Sequence, residues 1–217
     1  AEKTWEARGA ARSIHEFLSR AKAAHGARPA VSYQLTSGPQ DASETLTWAD
    51  LHARTTQAAN LFRSLGVGER DVVAYVLPNC SETVFTLLGG MVAGIANPIN
   101  PLLEAEQISA ILRETKAKVV VTLRAFPKTD VPQKLAAALE DAPNVHTVLE
   151  VDLLGYLTGA KRLIVPLIRP KNPVRHSARV LDFNAECVGN RGSRFLGAQQ
   201  RRGKEFDHGA TIRGNGF

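Results

Sequence analysis

The 217-residue chain is 44% hydrophobic and 22% charged, the make-up of a water-soluble globular protein with room for one good core and little more. Its two cysteines, Cys80 and Cys187, are far apart and lack CxxC spacing, which excludes a disulfide framework or cysteine zinc site and points to a reducing compartment. The net charge of +6 is uneven: residues 161–217 hold 12 Lys and Arg against 4 Asp and Glu, leaving the first 160 residues at −2.

In chain order, residues 1–12 carry no hydrophobic periodicity and are expected to be a flexible N-terminus. Ser13 is a candidate helix cap, with Glu16 three residues on to complete a capping box before an amphipathic run through Ala24. Ala30 to Leu35 reads as a strand, and Thr45–Thr47 as its hairpin partner across a turn-rich tip at 36–41. Thr47 then caps a helix with Asp50 at its third position. Leu51, Ala58, Leu61, Phe62 and Leu65 share one face of that helix, and Gly66 ends it.

Val72–Leu77 is a continuous apolar strand of the kind buried in a parallel sheet. Pro78-Asn79 closes it, and Ser81 with Glu82 opens a helix to about Ala93. The stretch Thr83 to Leu103 has no charged residue, but Asn97, Pro98, Asn100 and Pro101 interrupt it. Its apolar part, Val84 to Ala96, is too short to span a bilayer, so no transmembrane segment is expected. Ile95–Ala96 reads as a short strand, and Asn97 to Pro101 as a loop stiffened by two prolines.

The pattern then repeats, with a helix over Glu104–Thr115, a strand over Lys118–Leu123, a helix over Pro132–Glu140 and a strand over Val145–Val151. Strands alternating with helices of about a dozen residues predict right-handed βαβ units: an α/β fold with a mostly parallel sheet and flanking helices. Beyond Gly155 the signal weakens. Leu163–Ile168 is apolar but interrupted by Pro166, and Ala178–Phe183 reads as one more strand. Residues 189–217 hold seven of the 17 Gly and five Arg, with Leu196 and Ile212 the only large aliphatic side chains. Such a composition cannot offset its chain entropy by burial, so 187–217 is expected to be a disordered Gly/Arg-rich tail.

Several runs carry a resemblance. They are Leu46-Thr47-Trp48-Ala49-Asp50-Leu51, Ala58-Ala59-Asn60-Leu61, Leu65-Gly66-Val67-Gly68-Glu69-Arg70-Asp71-Val72-Val73-Ala74, Leu77-Pro78-Asn79-Cys80-Ser81-Glu82, Ala93-Gly94-Ile95-Ala96-Asn97-Pro98-Ile99-Asn100-Pro101 and Ala117-Lys118-Val119-Val120-Val121. In this order and spacing they resemble the opening of the adenylate-forming (AMP-binding) enzymes, and most of all the fatty acyl-CoA synthetases. The likeness covers about residues 13–185, so 13–186 is expected to be part of such an N-terminal domain. Physically, Gly66 and Gly68 permit the turn before the buried strand. Gly90 and Gly94, one turn apart, are expected to let the next helix approach a neighbour closely.

The resemblance implies a two-step reaction, in which a fatty or other carboxylic acid attacks the α-phosphate of ATP and coenzyme A then takes the acyl group, with Mg²⁺ neutralising the phosphates. It also implies a Thr/Ser/Gly-rich phosphate loop ending in Gly, Pro and Lys, shortly after Leu181-Asp182-Phe183-Asn184-Ala185-Glu186. No such loop follows; Phe206 to Phe217 holds glycines but neither a Ser/Thr cluster nor Lys. The family's later motifs and catalytic Lys would lie beyond residue 217. No residue here is therefore assigned a catalytic, cofactor-binding or metal role, and ATP, Mg²⁺ and coenzyme A belong to the full-length family.

The abrupt change near Arg194 resembles a G+C-rich reading frame shifted out of register. Two alternatives to an inactive front portion stay open: a non-catalytic interaction remnant, and one half of a split ligase completed by a missing C-terminal portion. The expected location is the cytoplasm, with peripheral membrane association as an open variant.

Other chemistry has no signature. There is no GxGxxG, GxxxxGK[ST] or GxSxG pattern. His15, His25, His52, His146, His176 and His208 are dispersed and read as surface residues. Asp50 and Arg54 read as a solvent-side helix pair. The basic residues lack interleaved aromatics, so nucleic acid is not an expected partner. A domain interrupted at this point is expected to expose an apolar face.

Overall fold

The computed structural model describes residues 7–36, 43–170 and 176–189. The Gly/Arg-rich tail from 190 onward and most of the hairpin tip lie outside them.

Helix α1 (Ile14–His25) starts at Ser13, whose hydroxyl accepts from the Glu16 amide. Glu16 itself reaches one residue further back and accepts from the Arg12 amide at 2.8 Å, so the expected box closes on Arg12. Strands β1 (Pro29–Gln34) and β2 (Ser43–Thr47) form the antiparallel hairpin. Helix α2 (Trp48–Ser64) opens with the full capping box: Thr47 accepts from the Asp50 amide, and Asp50 accepts from the Thr47 amide at 3.0 Å. Gly66 ends that helix with φ at +86°, where a side chain would be strained.

The main sheet is built from β3 (Val72–Val76), β4 (Ile95–Pro98), β5 (Val119–Leu123), β6 (Thr147–Val151) and β7 (Arg179–Asp182). All five strands are parallel, in the order β4-β3-β5-β6-β7. Every residue of β3 and β5 is buried, as continuous apolar runs in a two-sided sheet require. Helices α3 (Ser81–Ala93) and α7 (Phe183–Gly189) pack with α1 and α2 as one group. Helices α4 (Ala105–Thr115) and α5 (Val131–Glu140) pack together as another.

Small residues set the α2–α3 approach. A Cβ on Gly89 would lie 2.7 Å from the Ala58 Cβ, so Gly89 lets the helices touch. Gly94 acts otherwise than expected: it lies just past the end of α3. A Cβ there would meet the backbone oxygens of Asp71 and Gly68 at 2.5 and 2.6 Å, so it seats the α3–β4 turn against the turn entering β3. That second turn is fixed by Asp71, which accepts from the Gly68 amide at 2.8 Å and from Lys118 at 2.9 Å.

Two elements differ from the sequence expectation. Strand β4 extends through Asn97 and Pro98 into the expected loop. It is an edge strand: the Ile95 amide donates to the Asp71 carbonyl just before β3, and the Ile99 amide, just past β4, donates to Tyr75 in β3; Pro98 falls at an alternate position, where no donor is needed. The apolar stretch around Pro166 forms helix α6 (Gly159–Ile168), reached through a 3-10 turn at Leu153–Tyr156. None of its residues is buried, so the carbonyl deprived of its partner by Pro166 can be solvated.

Candidate functional site at the carboxyl edge of the sheet

From β3 the chain steps outward to β4, then returns past β3 to β5 and continues through β6 to β7. The direction of winding thus reverses between β3 and β5. In open α/β sheets, ligands bind outside the carboxyl ends of the strands beside such a reversal. Two clefts lie along this edge.

The first, about 320 Å³, is lined by Thr122, Arg124, Glu150, Arg169 and His176 over apolar Leu135 and Val148. The second, about 430 Å³, is lined by Glu44, Arg54, Glu82, Asp152, Tyr156 and Asn184. An ion network stands between them. The Arg124 guanidinium lies 3.0 Å from Glu150, 3.4 Å from Asp152 and 3.2 Å from Asp182, gathering carboxylates from β6, the turn after it and β7. Arg169 adds a two-pronged contact to Asp152 at 2.5 and 3.1 Å. Burial alone would raise the Asp152 pKa, but Arg169, the Leu154 amide and Arg124 together outweigh it and hold the carboxyl below its ordinary value.

The second cleft centres on Glu82, 6% exposed in the first turn of α3. Its carboxylate accepts from the Tyr156 hydroxyl at 2.6 Å and from the Asn184 amide at 2.9 Å, beside the positive end of the helix dipole. Neighbouring Ser81 donates to Glu44. Tyr156 meets Tyr33 edge-to-face with ring centroids 4.8 Å apart. Burial, then the negative charge of Glu82, pushes the Tyr156 pKa up. Burial, Cys80 and Glu82 push Tyr33 to about 12.

These groups are committed to one another. Cys80 sits at the N-terminus of α3, a position that can activate a thiol. Burial and the Glu82 charge prevail, however, and its pKa is pushed up to about 12. Cys187, also buried, is raised to about 12 mainly by burial. Both are free thiols, and burial disfavours the thiolate of each. Among the described residues no three His, Cys, Asp or Glu side chains are grouped to hold a metal ion.

The histidines divide. His25 and His146 are exposed, as read from the sequence, and His208 lies outside the described residues. His176 is half-buried and lines the first cleft. His15 and His52, which looked independent, pack together between α1 and α2 with ring centroids 5.4 Å apart. Ser19 lies 3.1 Å from His52, but its hydroxyl donates to the His15 carbonyl at 2.8 Å. That proton is engaged, so the pair is no activated serine. Asp50 is occupied by Thr47, and Arg54 is the smallest influence holding its pKa low; Arg54 instead lines the second cleft. The contacts of Glu82 could not be read from sequence, because Tyr156 and Asn184 lie 74 and 102 residues away.

The fold and its edge define a class: a parallel α/β domain whose strand ends are cross-linked by ion pairs and hydrogen bonds. The family model for AMP-binding enzymes matches residues 18–175, and the chain belongs to that family. It is 32% identical over 122 residues to a marinolic acid–CoA ligase of Pseudoalteromonas sp., covering 56% of this chain and 19% of that one. It is 30% identical over 124 residues to a long-chain-fatty-acid–CoA ligase of Bacillus subtilis, covering 56% and 21%. An anthranilate CoA ligase solved with anthranoyl-AMP superposes with a TM-score of 0.61 at 17% identity, covering 82% of this chain and 28% of that one. The chain thus spans about a fifth of the length of these sequence relatives.

Proposed function

We propose that this chain is the front portion of an ATP-dependent acid–thiol ligase and is inactive alone. In the whole enzyme a fatty or other carboxylic acid would be activated as its adenylate and passed to coenzyme A. The family match and the acyl-CoA ligase relatives support the class of reaction. The single observation that carries inactivity is at the carboxyl edge, where every acidic group is already spent. Glu82 holds Tyr156 and Asn184, and Glu150, Asp152 and Asp182 are neutralised by Arg124 and Arg169.

The described residues of these clefts fit ATP and Mg²⁺ poorly. Phosphates need amides and cations turned toward them, and the carboxylates here already accept from Arg124, Arg169, Tyr156, Asn184 or Ser81. No reaction step is therefore assigned to this chain's side chains, and its role in the whole enzyme is to form the wall from which the phosphate loop departs. The folded part runs past the expected boundary at 186 to the end of α7 at Gly189, because Cys187 is buried in that helix, and the proposed division places a non-catalytic tail after it. A cytoplasmic location accords with the two free, buried cysteines.

Acid-dependent exchange between ATP and labelled pyrophosphate tests the reading. The purified chain should give no exchange above background with acetate, benzoate or long-chain fatty acids. Exchange by the chain alone would overturn inactivity. Exchange only after adding a polypeptide that spans the rest of the family's length would establish a split ligase.

A further inference from the structure

We propose that helix α6 docks the protein on anionic lipid surfaces. The helix, Gly-Ala-Lys-Arg-Leu-Ile-Val-Pro-Leu-Ile over Gly159–Ile168, buries none of its residues. Leu163, Ile164, Leu167 and Ile168 are 76, 53, 84 and 61% exposed. At 100° per residue these four fall on one side of the helix, with Ala160 between them. The partly covered Val165 and Arg169 lie on the opposite side, and Arg169 is tied to Asp152. The helix is thus held by its back, with its apolar stripe turned outward.

Charge selects the occupant. Exposed Lys161 borders the stripe next to Ile168, while exposed Arg162 lies on the back beside Arg169, and no Asp or Glu occurs from Leu153 to Pro170. An apolar stripe bordered by a cation and by no acidic residue suits the boundary between anionic headgroups and acyl chains. A second copy of the chain would bring the same positive charges face to face. The footprint also argues against a copy. Ten helical residues make a stripe about 15 Å long and roughly 10 Å wide, far short of the roughly 800 Å² per partner of a stable interface. A lipid surface needs no such area when charge and insertion act together. The proposal does not depend on the catalytic reading, and no helix of the described residues is long and apolar enough to cross a membrane.

Vesicle co-sedimentation of the full chain tests it, using phosphatidylcholine alone and a mixture with 30% phosphatidylglycerol. The expected result is at least tenfold stronger partitioning onto the anionic vesicles. Leu163→Asp with Leu167→Asp should abolish it, whereas Leu102→Asp, at another exposed leucine, should leave it intact. Both substituted leucines are too exposed to hold the fold, and circular dichroism checks that the variants fold. Absence of partitioning by the folded chain would overturn the proposal. So would equal partitioning by the double variant, which would assign the contact to another basic part of the chain. A double variant that loses self-association in gel filtration, without any change in vesicle binding, would assign the stripe to a second copy and also overturn it.

Discussion

The two halves of the main sheet are built by different rules. Around β3 and β5 every strand residue is buried, helices α2 and α3 meet through Ala58 and Gly89, and the entering turn is held by Asp71. Beyond β6 the elements are short. β7 has no fully buried residue and α6 is solvated on nearly all sides, and long-range polar contacts by Arg124, Arg169 and Glu82 supplement the few buried apolar anchors there, Leu153, Phe183 and Cys187. The first half is stabilised by burial that a fragment can complete alone. The second is pinned at its strand ends, with apolar groups such as Leu167 still exposed. The fold therefore closes around its entry and remains open at its edge.

The largest test of that contrast pairs two leucines. Leu149 in β6 is 0% exposed, and Leu149→Ala should cost about 2–5 kcal/mol through lost transfer energy and a cavity. Leu167→Ala should change stability by less than about 0.5 kcal/mol. Chemical denaturation of both variants measures the difference, and equal effects would erase the distinction between the halves. Next is Gly94→Ala, whose methyl would run into two backbone oxygens; a loss of about 1–3 kcal/mol is expected from the forced shift. Gly155→Ala, with open space around it, should be near neutral in the same melts.

Glu82→Gln probes the pinned half. It replaces a charged acceptor of two hydrogen bonds with one that accepts at a single oxygen, and a cost of about 1–3 kcal/mol is expected. Local hydrogen exchange should rise in α7 and the 3-10 turn before it rises in β3. A rise that begins in β3 would contradict the assigned role.

The smallest effect is set by pH. Burial lowers the pKa of His15, and burial with Lys22 and His15 lowers that of His52. The folded values lie below the ordinary 6.5, so the unfolded chain binds more protons in between. Their contribution is fully present above pH 6.5 and is lost as pH falls from there through the folded values. Replacing both with Gln should flatten the stability profile just below pH 6.5. Carboxylates such as Asp71, lowered first by the Gly68 amide and then by Lys118, contribute only to losses at lower pH. An unchanged slope in the double variant would show that the histidine pair is not its source.

What the sequence disclosed follows the same divide. Strands β3, β5 and β6, helix α2 with its Thr47–Asp50 box, and the strand–helix alternation that gives a parallel sheet were legible, because each rests on local periodicity or capping. Gly94 was misplaced onto α3 because spacing cannot distinguish a helical glycine from one just past the helix end. Pro98 hid the second half of β4 and Pro166 hid α6: proline signals a break, yet an edge strand and a solvated helix both tolerate it. The Arg124 and Glu82 networks join residues dozens of positions apart, and no local pattern carries such pairings.

An inactive front portion, as proposed, requires strand ends that hold no nucleotide site. Thermal melting of the full chain with and without saturating Mg²⁺-ATP and a carboxylic acid tests it most directly, because a ligand at one hundred times its Kd would stabilise the fold by about 2.7 kcal/mol. The account predicts a melting temperature unchanged by the nucleotide. An increase that saturates with ATP and depends on Mg²⁺ would contradict it.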